Sequence, residues 1–269
     1  MATQRPLSRT RPSGADARRA KNPVWEGIKT VVSVVLIVFV IRSFVFEPFN
    51  IPSGSMIPTL LVGDYLFVSK YPYGYSRYSI WGAPDLWNGR ILALNGPVPA
   101  RGDVVVFKWP RDNSTDYIKR VIGLPGDHIQ VKAGQLFING AAVPREKLGL
   151  ETDTDERGLS MQVQVFQETL PGGKKHLMQT YNSSDGSFVN NTPEFVVPPD
   201  NLFAMGDNRD NSSDSRVPLS QGGVGYVPVE NVLGRAEFIF FSVNGTAPFW
   251  QVWEWPFEIR WGRLLHGIT

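Results

Sequence analysis

Ile51-Pro52-Ser53-Gly54-Ser55-Met56-Ile57-Pro58-Thr59-Leu60 is where this 269-residue chain changes character. Before it lies an apolar run, Ile28 to Val45, with Val31-Val32-Ser33-Val34-Val35-Leu36-Ile37-Val38-Phe39-Val40-Ile41 at its centre. After it, the apolar residues fall in short runs bounded by Gly, Pro or Asp. About 20 apolar residues cross a bilayer core, so a transmembrane helix is expected over 24–46, succeeded by a mainly β body. The decamer itself holds two serines about a glycine, between prolines. Proline fixes φ and glycine opens conformations that other residues avoid. Such a stretch holds a hydroxyl in a set direction, and Ser55 is the candidate nucleophile.

Toward the N-terminus, residues 1–23 are polar, basic and rich in Arg, Ser and Pro, the composition of a disordered tail. Residues 1–29 carry Arg5, Arg9, Arg11, Arg18, Arg19, Lys21 and Lys29 against Asp16 and Glu26, an excess of +5; with a formal net charge of +2, the remainder is −3. A globally basic surface for nucleic acid is therefore absent, and the basic excess reads instead as a topology signal. Lysines and arginines on the near side of a span face the cytoplasm, so residues after 46 are expected outside. Lys29, Arg42 and Trp25 suit the interfaces. Ser53-x-Ser55 is small-x-small, as at a signal cleavage site, but Arg42 and Glu47 lie between it and the apolar run, too far for ordinary cleavage. A retained anchor is expected. The chain has no cysteine, which excludes disulfides and thiolate zinc.

Toward the C-terminus, Tyr65–Val68, Val104–Phe107, Tyr117–Ile122, Phe195–Val197, Leu202–Met205 and Arg235–Phe241 read as strands. His128–Val131 and Gln135–Ile138 flank Lys132-Ala133-Gly134 as a hairpin. No soluble amphipathic helix stands out. Residues 141–192 are more polar, with a Val163-Gln164-Val165 alternation. They are read as part of an inserted β lobe, 129–199, between two halves of a catalytic core, 47–128 and 200–269. Tyr71 to Trp87 is unusually aromatic; it fits a membrane-facing stretch or a loop packing its own rings.

A serine hydroxyl needs a base to act as a nucleophile. His128, His176 and His266 are the only histidines, and none lies in a catalytic pattern. Lys119 lies in Asp116-Tyr117-Ile118-Lys119-Arg120-Val121-Ile122. On a strand it shares a face with Tyr117 and Val121. Burial there would lower its pKa, whereas a Lys-Arg pair read alone is a solvated surface pair. Gly206-Asp207-Asn208-Arg209-Asp210-Asn211-Ser212-Ser213-Asp214-Ser215-Arg216 is a polar loop after an apolar strand. Its Asn208-x-Asp210-x-Ser212-x-Asp214 spacing suggests calcium, but Ser213 and Leu219 stand where an EF-hand needs Gly and Glu. A hydrogen-bonding loop, with a serine able to orient a lysine amine, is the better reading, and neither metal nor cofactor is expected.

Taken together, these stretches resemble the bacterial type I signal peptidases. The matching pieces are Ile51–Leu60, Gly63-Asp64-Tyr65-Leu66-Phe67-Val68-Ser69-Lys70, Arg101-Gly102-Asp103-Val104-Val105-Val106-Phe107, Asp116–Arg120 with Gly123-Leu124-Pro125-Gly126-Asp127, and Gly206–Arg216, in order after an anchor. The resemblance implies that Ser55 is the nucleophile and Lys119 the general base. It implies that Ser53 joins the Ser55 N–H in an oxyanion hole, that Ser212 orients the lysine, and that Asp214 and Arg216 form a supporting pair. Ile51, Pro52, Met56 and Ile118 are expected to line pockets for an extended substrate. The implied substrates are secretory precursors with signal peptides, cleaved after small-x-small motifs at the outer face of the bacterial cytoplasmic membrane. The lipid bilayer is the other implied partner. One departure is Val217-Pro218-Leu219, where the family often has Tyr-Trp-Gly or Phe-Trp-Gly; Gly225-Tyr226-Val227-Pro228 restores the pattern. A membrane-anchored β adaptor accounts for the anchor and strands but not for five ordered motifs; a serine hydrolase of peptidoglycan or lipid is the second enzyme reading, told apart by cleavage of precursor at small-x-small sites.

Overall fold

The computed structural model describes residues 23–80, 90–92, 98–154, 160–181, 187–244 and 255–269. Most of the basic tail and the end of the aromatic stretch, 81–87, lie outside these. Helix α1, Pro23–Phe44, is the apolar run. It is apolar around its whole circumference and is long and apolar enough to cross a membrane. From Val40 onward the chain forms one compact unit, distinct from the preceding residues.

That unit is built on strands, as the sequence predicts. In chain order they are β1 (Phe46–Asn50), β2 (Asp64–Ser69), β3 (Val104–Lys108), β4 (Asp116–Gly123), β5 (His128–Lys132), β6 (Gln135–Ile138) and β7 (Ala141–Ala142). Then come β8 (Arg145–Thr154), β9 (Ser160–Thr169), β10 (Lys175–Tyr181), β11 (Phe195–Val196), β12 (Asn201–Met205), β13 (Val227–Pro228), β14 (Val232–Ser242) and β15 (His266–Gly267). The main sheet runs β1-β2-β14-β3-β4-β12-β13, with β15 also on β14. β5, β6, β7 and β11 form a second sheet, and β8, β9 and β10 a third.

β3 shows why the main sheet is the core. Its continuous apolar run has no polar face to give to water, so both faces are covered. Val104 and Val106 pack on one side with Leu66, Val68, Met56 and Ile239, while Val105 and Phe107 pack on the other with Val121, Leu202 and Ala204. A third cluster carries the core onward: Ile122, Phe203 and Met205 pack with Ile129, Leu136 and Val197. β14 pairs with β2 on one edge and β3 on the other, and register shifts after Val232, Ala236 and Ile239 bend it.

The β5–β6 hairpin turns on Ala133 (φ 47°) and Gly134 (φ 72°), the positive-φ pair of a two-residue connection. β8 and β10 carry no strand signal in the sequence because their residues alternate too weakly. Paired with β9 over nine and seven residues, their backbones gain the partners that their side chains do not advertise. In the described part of the aromatic stretch, Tyr73 is buried and donates to Asp103 Oδ2 at 2.6 Å, and Tyr78 packs on the first cluster.

Candidate active site

The Ser55 turn is fixed from both ends. Ile51 N–H donates to Asp64 O at 2.8 Å and Gly63 N–H to Ile51 O at 3.0 Å, closing the segment into a loop. Gly54–Met56 form a single 3-10 turn, with Ile57 N–H on Gly54 O. Asp64, fully buried, accepts from Leu61 N–H at 2.8 Å, Ser242 Oγ at 2.6 Å and Arg263 Nη2 at 2.6 Å. Arg263 Nη2 also donates to Thr59 O. Gly54 keeps a negative or extended φ, so the left-handed freedom suggested by its identity is not what the turn uses. Gly206 is the glycine that close packing requires: a Cβ there would come within 2.5 Å of Ser55 O and meet the Ser212 side chain.

Lys119 arrives on β4, next to β3 in the sheet, and is 3% exposed. Its Nζ lies 2.7 Å from Ser55 Oγ and 2.9 Å from Ile118 O, with the Tyr117 ring centroid at 5.6 Å. Burial strips hydration from the ammonium and holds its pKa down to about 8; Asp214 and Asp207 oppose the fall and Arg216 adds to it. In the ammonium form Lys119 donates to Ser55; as a neutral amine it can accept the Ser55 proton. Ser53 Oγ is 3.5 Å from Ser55 Oγ. Pro52, Ser53, Gly54, Ser55, Ile118 and Lys119 line one cleft of about 350 Å³ together with Asp116, Tyr117, Asn211 and Ser213.

Two of the expected lining residues lie elsewhere. Ile51 and Met56 are buried in the core beneath the turn, among Leu60, Leu66 and Val104, where their apolar side chains are removed from water. Ser212 stands against Gly206, but its Oγ makes no hydrogen bond among the described residues, and Lys119 Nζ is directed to Ser55 and Ile118 O instead. Asp214 and Arg216 do pair, Nη2 to Oδ2 at 2.7 Å and Nε to Oδ1 at 2.9 Å, both buried. Burial pushes the Asp214 carboxyl up, but the Arg216 charge and its hydrogen bonds outweigh this and hold it below the usual carboxylate value. Asp214 Oδ2 also accepts from Gly206 N–H at 3.0 Å. The acids of the loop are committed to protein partners, Asp207 to Arg120 and Asp210 to Tyr181 N–H and Asn190.

Several residues that the sequence does not mark as partners of the site hold it in place. Arg120, half of a surface pair on sequence alone, is fully buried, with Nε and Nη2 on the two oxygens of Asp207 at 2.8 and 2.7 Å. Thr59 Oγ1 donates to Asp207 at 2.6 Å. Asn208 N–H donates to Ser55 O, and its Nδ2 to Gly54 O, each at 3.1 Å. The available signal was a run of alternating acid and base in a loop flanked by apolar strands, a pattern that burial turns into ion pairs. Of the histidines, His128 is half-exposed beside Glu194, His266 is exposed on β15, and His176 is buried between Glu168 and Asp207. The side chains on Ser55 Oγ, among the described residues, are those of Lys119 and Ser53.

A family model for signal peptidase, peptidase S26, matches residues 24–241. The chain belongs to that family. Signal peptidase I of Rickettsia typhi is 40% identical to it over 237 residues, 86% of this chain and 85% of that one. Signal peptidase I of Rickettsia conorii is 43% identical over 219 residues, covering 79% and 78% of the two chains. A signal peptidase I crystal structure from Enterococcus faecalis is 24% identical and covers 51% of this chain and 96% of its own, with a TM-score of 0.28. The resemblance carried by five ordered motifs is thus correct: this is a type I signal peptidase, a serine protease.

Proposed function

We propose that this signal peptidase removes signal peptides from exported precursors through a Ser55/Lys119 dyad and an acyl-enzyme. The reading is carried by the 2.7 Å approach of Lys119 Nζ to Ser55 Oγ at the floor of the cleft. A buried amine with a pKa of about 8 is in part neutral at physiological pH and serves as a base without a histidine. Ser55 Oγ attacks the scissile carbonyl carbon while its proton passes to Lys119 Nζ. The oxyanion is met by the Ser53 hydroxyl and the Ser55 N–H, a donor set whose single members typically contribute about 3–4 kcal/mol. Collapse breaks the C–N bond, and Nζ returns the proton to the departing amine of the mature chain. A water, deprotonated by the same lysine, then attacks the ester carbon; the C–Oγ bond breaks, Nζ returns the proton to Ser55 Oγ, and the signal peptide leaves as a carboxylate with its acid proton released to solvent.

Specificity for small-x-small comes from an extended substrate lying beside Asp116–Ile118 and Pro52–Ser53. Alternate side chains of a strand point one way, and a narrow cleft admits only small ones. Ile51 and Met56 shape this wall from the core side. Asp214 and Arg216 hold the Gly206 strand end behind Ser55. Ser212, with a buried hydroxyl beside Gly206, orients the neutral lysine once Ser55 donates to it. We assign 1–23 to a cytoplasmic tail, 24–46 to the anchor, 47–128 and 200–269 to an extracytoplasmic catalytic core, and 129–199 to the inserted lobe. The bilayer thereby confines the site to the face where precursors emerge.

The test is cleavage of a precursor by purified enzyme. Ser55→Ala and Lys119→Ala should each lower kcat by about 10³-fold or more while circular dichroism stays that of wild type. Full activity in Lys119→Ala would overturn the dyad.

A further inference from the structure

Outside the cleft, a group of buried charges joins the third sheet to the 206–216 loop. Glu168 on β9 is fully buried and accepts from Arg209, Nη1 to Oε1 at 3.0 Å and Nη2 to Oε2. His176 on β10 places Nε2 at 3.4 Å from Glu168 Oε2 and 3.8 Å from Asp207 Oδ1. The backbones are joined as well: Gln179 N–H donates to Asp207 O at 2.9 Å, and Arg209 N–H to Gln179 O at 3.0 Å. On its other side the same tripeptide grips the reacting groups. Asn208 holds Ser55 O and Gly54 O, and Asp207 holds Arg120, the chain neighbour of Lys119.

We infer that Glu168, through its bidentate pair with Arg209, is a positioning residue that sets the alignment of Ser55 with Lys119. This rests on the dyad reading of those two residues. It gives the β8–β10 sheet a role, as the outer brace of the tripeptide 207–209. A buried ion pair is a poor choice for stability alone, since well-packed apolar residues of similar volume often hold as well or better. What a bidentate carboxylate–guanidinium contact supplies is fixed distance and plane. His176 packs against both acids and closes the space beside the pair. Displacement of Asn208 carries the Ser55 turn with it, and an error of about 1 Å in reacting-atom placement can cost about 100-fold in rate.

Glu168→Gln alone strands the Arg209 charge in the core, so the decisive variant removes both charges: Glu168→Leu with Arg209→Met in the full chain. It is assayed in detergent on a precursor peptide, with thermal melting alongside. The expected result is a melting temperature close to wild type, kcat lower by about 100-fold and KM unchanged. Wild-type kcat in the folded double variant overturns the inference, as does a rise in KM with kcat unchanged, which would make the sheet a substrate contact. Should the double variant not fold, Glu168→Asp decides: it keeps the charge but shortens the reach. A kcat reduced at constant KM supports positioning and wild-type kcat overturns it. Ser55→Ala and Lys119→Ala run in parallel. Activity in Lys119→Ala sinks the dyad whatever the Glu168 variants do, whereas inactive Lys119→Ala with fully active Glu168 variants sinks only the brace.

Discussion

In the proposed mechanism every proton that leaves or returns to Ser55 passes through one atom, Lys119 Nζ. Its pKa of about 8 means that the neutral, proton-accepting form is the minor one at pH 7 and the major one at pH 9. The rate profile should reflect this: kcat/KM should rise about tenfold per pH unit below 8 and level above it, measured on a peptide whose own groups do not titrate in that range. Asp214 raises the lysine pKa by its charge, so Asp214→Asn should move the rising limb to lower pH. A limb that stays in place would separate the pair from the lysine. Gly206→Ala places a methyl against Ser55 O and the Ser212 side chain. It should cost about 100-fold in kcat, seen in single-turnover cleavage, although Ser55 and Lys119 are both intact. The proline-bounded Ser-Gly-Ser marks Ser55 as a candidate in the sequence itself, whereas Lys119, which read alone is half of a solvated surface pair, is singled out only by the ordered motifs of the family. The contact expected between Ser212 and the lysine is not formed among the described residues, since an orienting contact depends on where a hydroxyl rotor lands after the loop has closed.

At the scale of elements, the 206–216 loop works as a brace because its fully buried charges are satisfied in pairs. Asp207 meets Arg120 on β4, Arg209 meets Glu168 on β9, and Asp214 meets Arg216 within the loop. Breaking one member leaves a buried charge uncompensated. Asp214→Asn should therefore destabilise the folded enzyme by about 3 kcal/mol, measured by denaturant unfolding. A loss of a few tenths would mean that Arg216 finds another partner. β3 and β4 were readable as strands because apolar runs bounded by turn residues have few other uses. β9 announces itself in the Val163-Gln164-Val165 alternation, but β8 and β10 carry residues such as Glu151 and Gln179, which suit a loop equally well until pairing supplies the reason for their conformation. Arg120 escaped notice for a related cause: an arginine on a strand is read as solvated, and only the arrival of Asp207 from nearly ninety residues on offsets the cost of burying it.

For the whole molecule, burial of titratable groups links stability to pH. His176 is held down to about 4 by burial, against an ordinary 6.5. Between those values the unfolded chain binds a proton that the folded one refuses, so stability should fall as pH drops from 6.5 to 4, by on the order of 3 kcal/mol at most. Lys119, also depressed, adds stability in the opposite range, as pH rises from about 8 toward 10.5. Urea unfolding at pH 4.5 and 7 should show the first effect, and His176→Gln should flatten it. The basic excess before α1 should place the N-terminus in the cytoplasm. Protease added to right-side-out vesicles should digest the catalytic unit and spare a tag at the N-terminus; the reverse pattern would invert the topology.

The linear chain was enough to specify the membrane-length helix, the β character of the body beyond it, the family, and the choice of Ser55 and Lys119 as candidates. Each of these is written in residues adjacent along the chain, where hydrophobic period, turn chemistry and motif order act locally. It took the folded molecule to turn Ile51 and Met56 toward the core, to make Arg120 and Asp207 mutual partners, and to bring Glu168 to Arg209 across 41 positions. Those contacts join segments far apart in sequence. Their stability comes from desolvation and charge pairing, which exist only once the strands have brought the side chains out of water together.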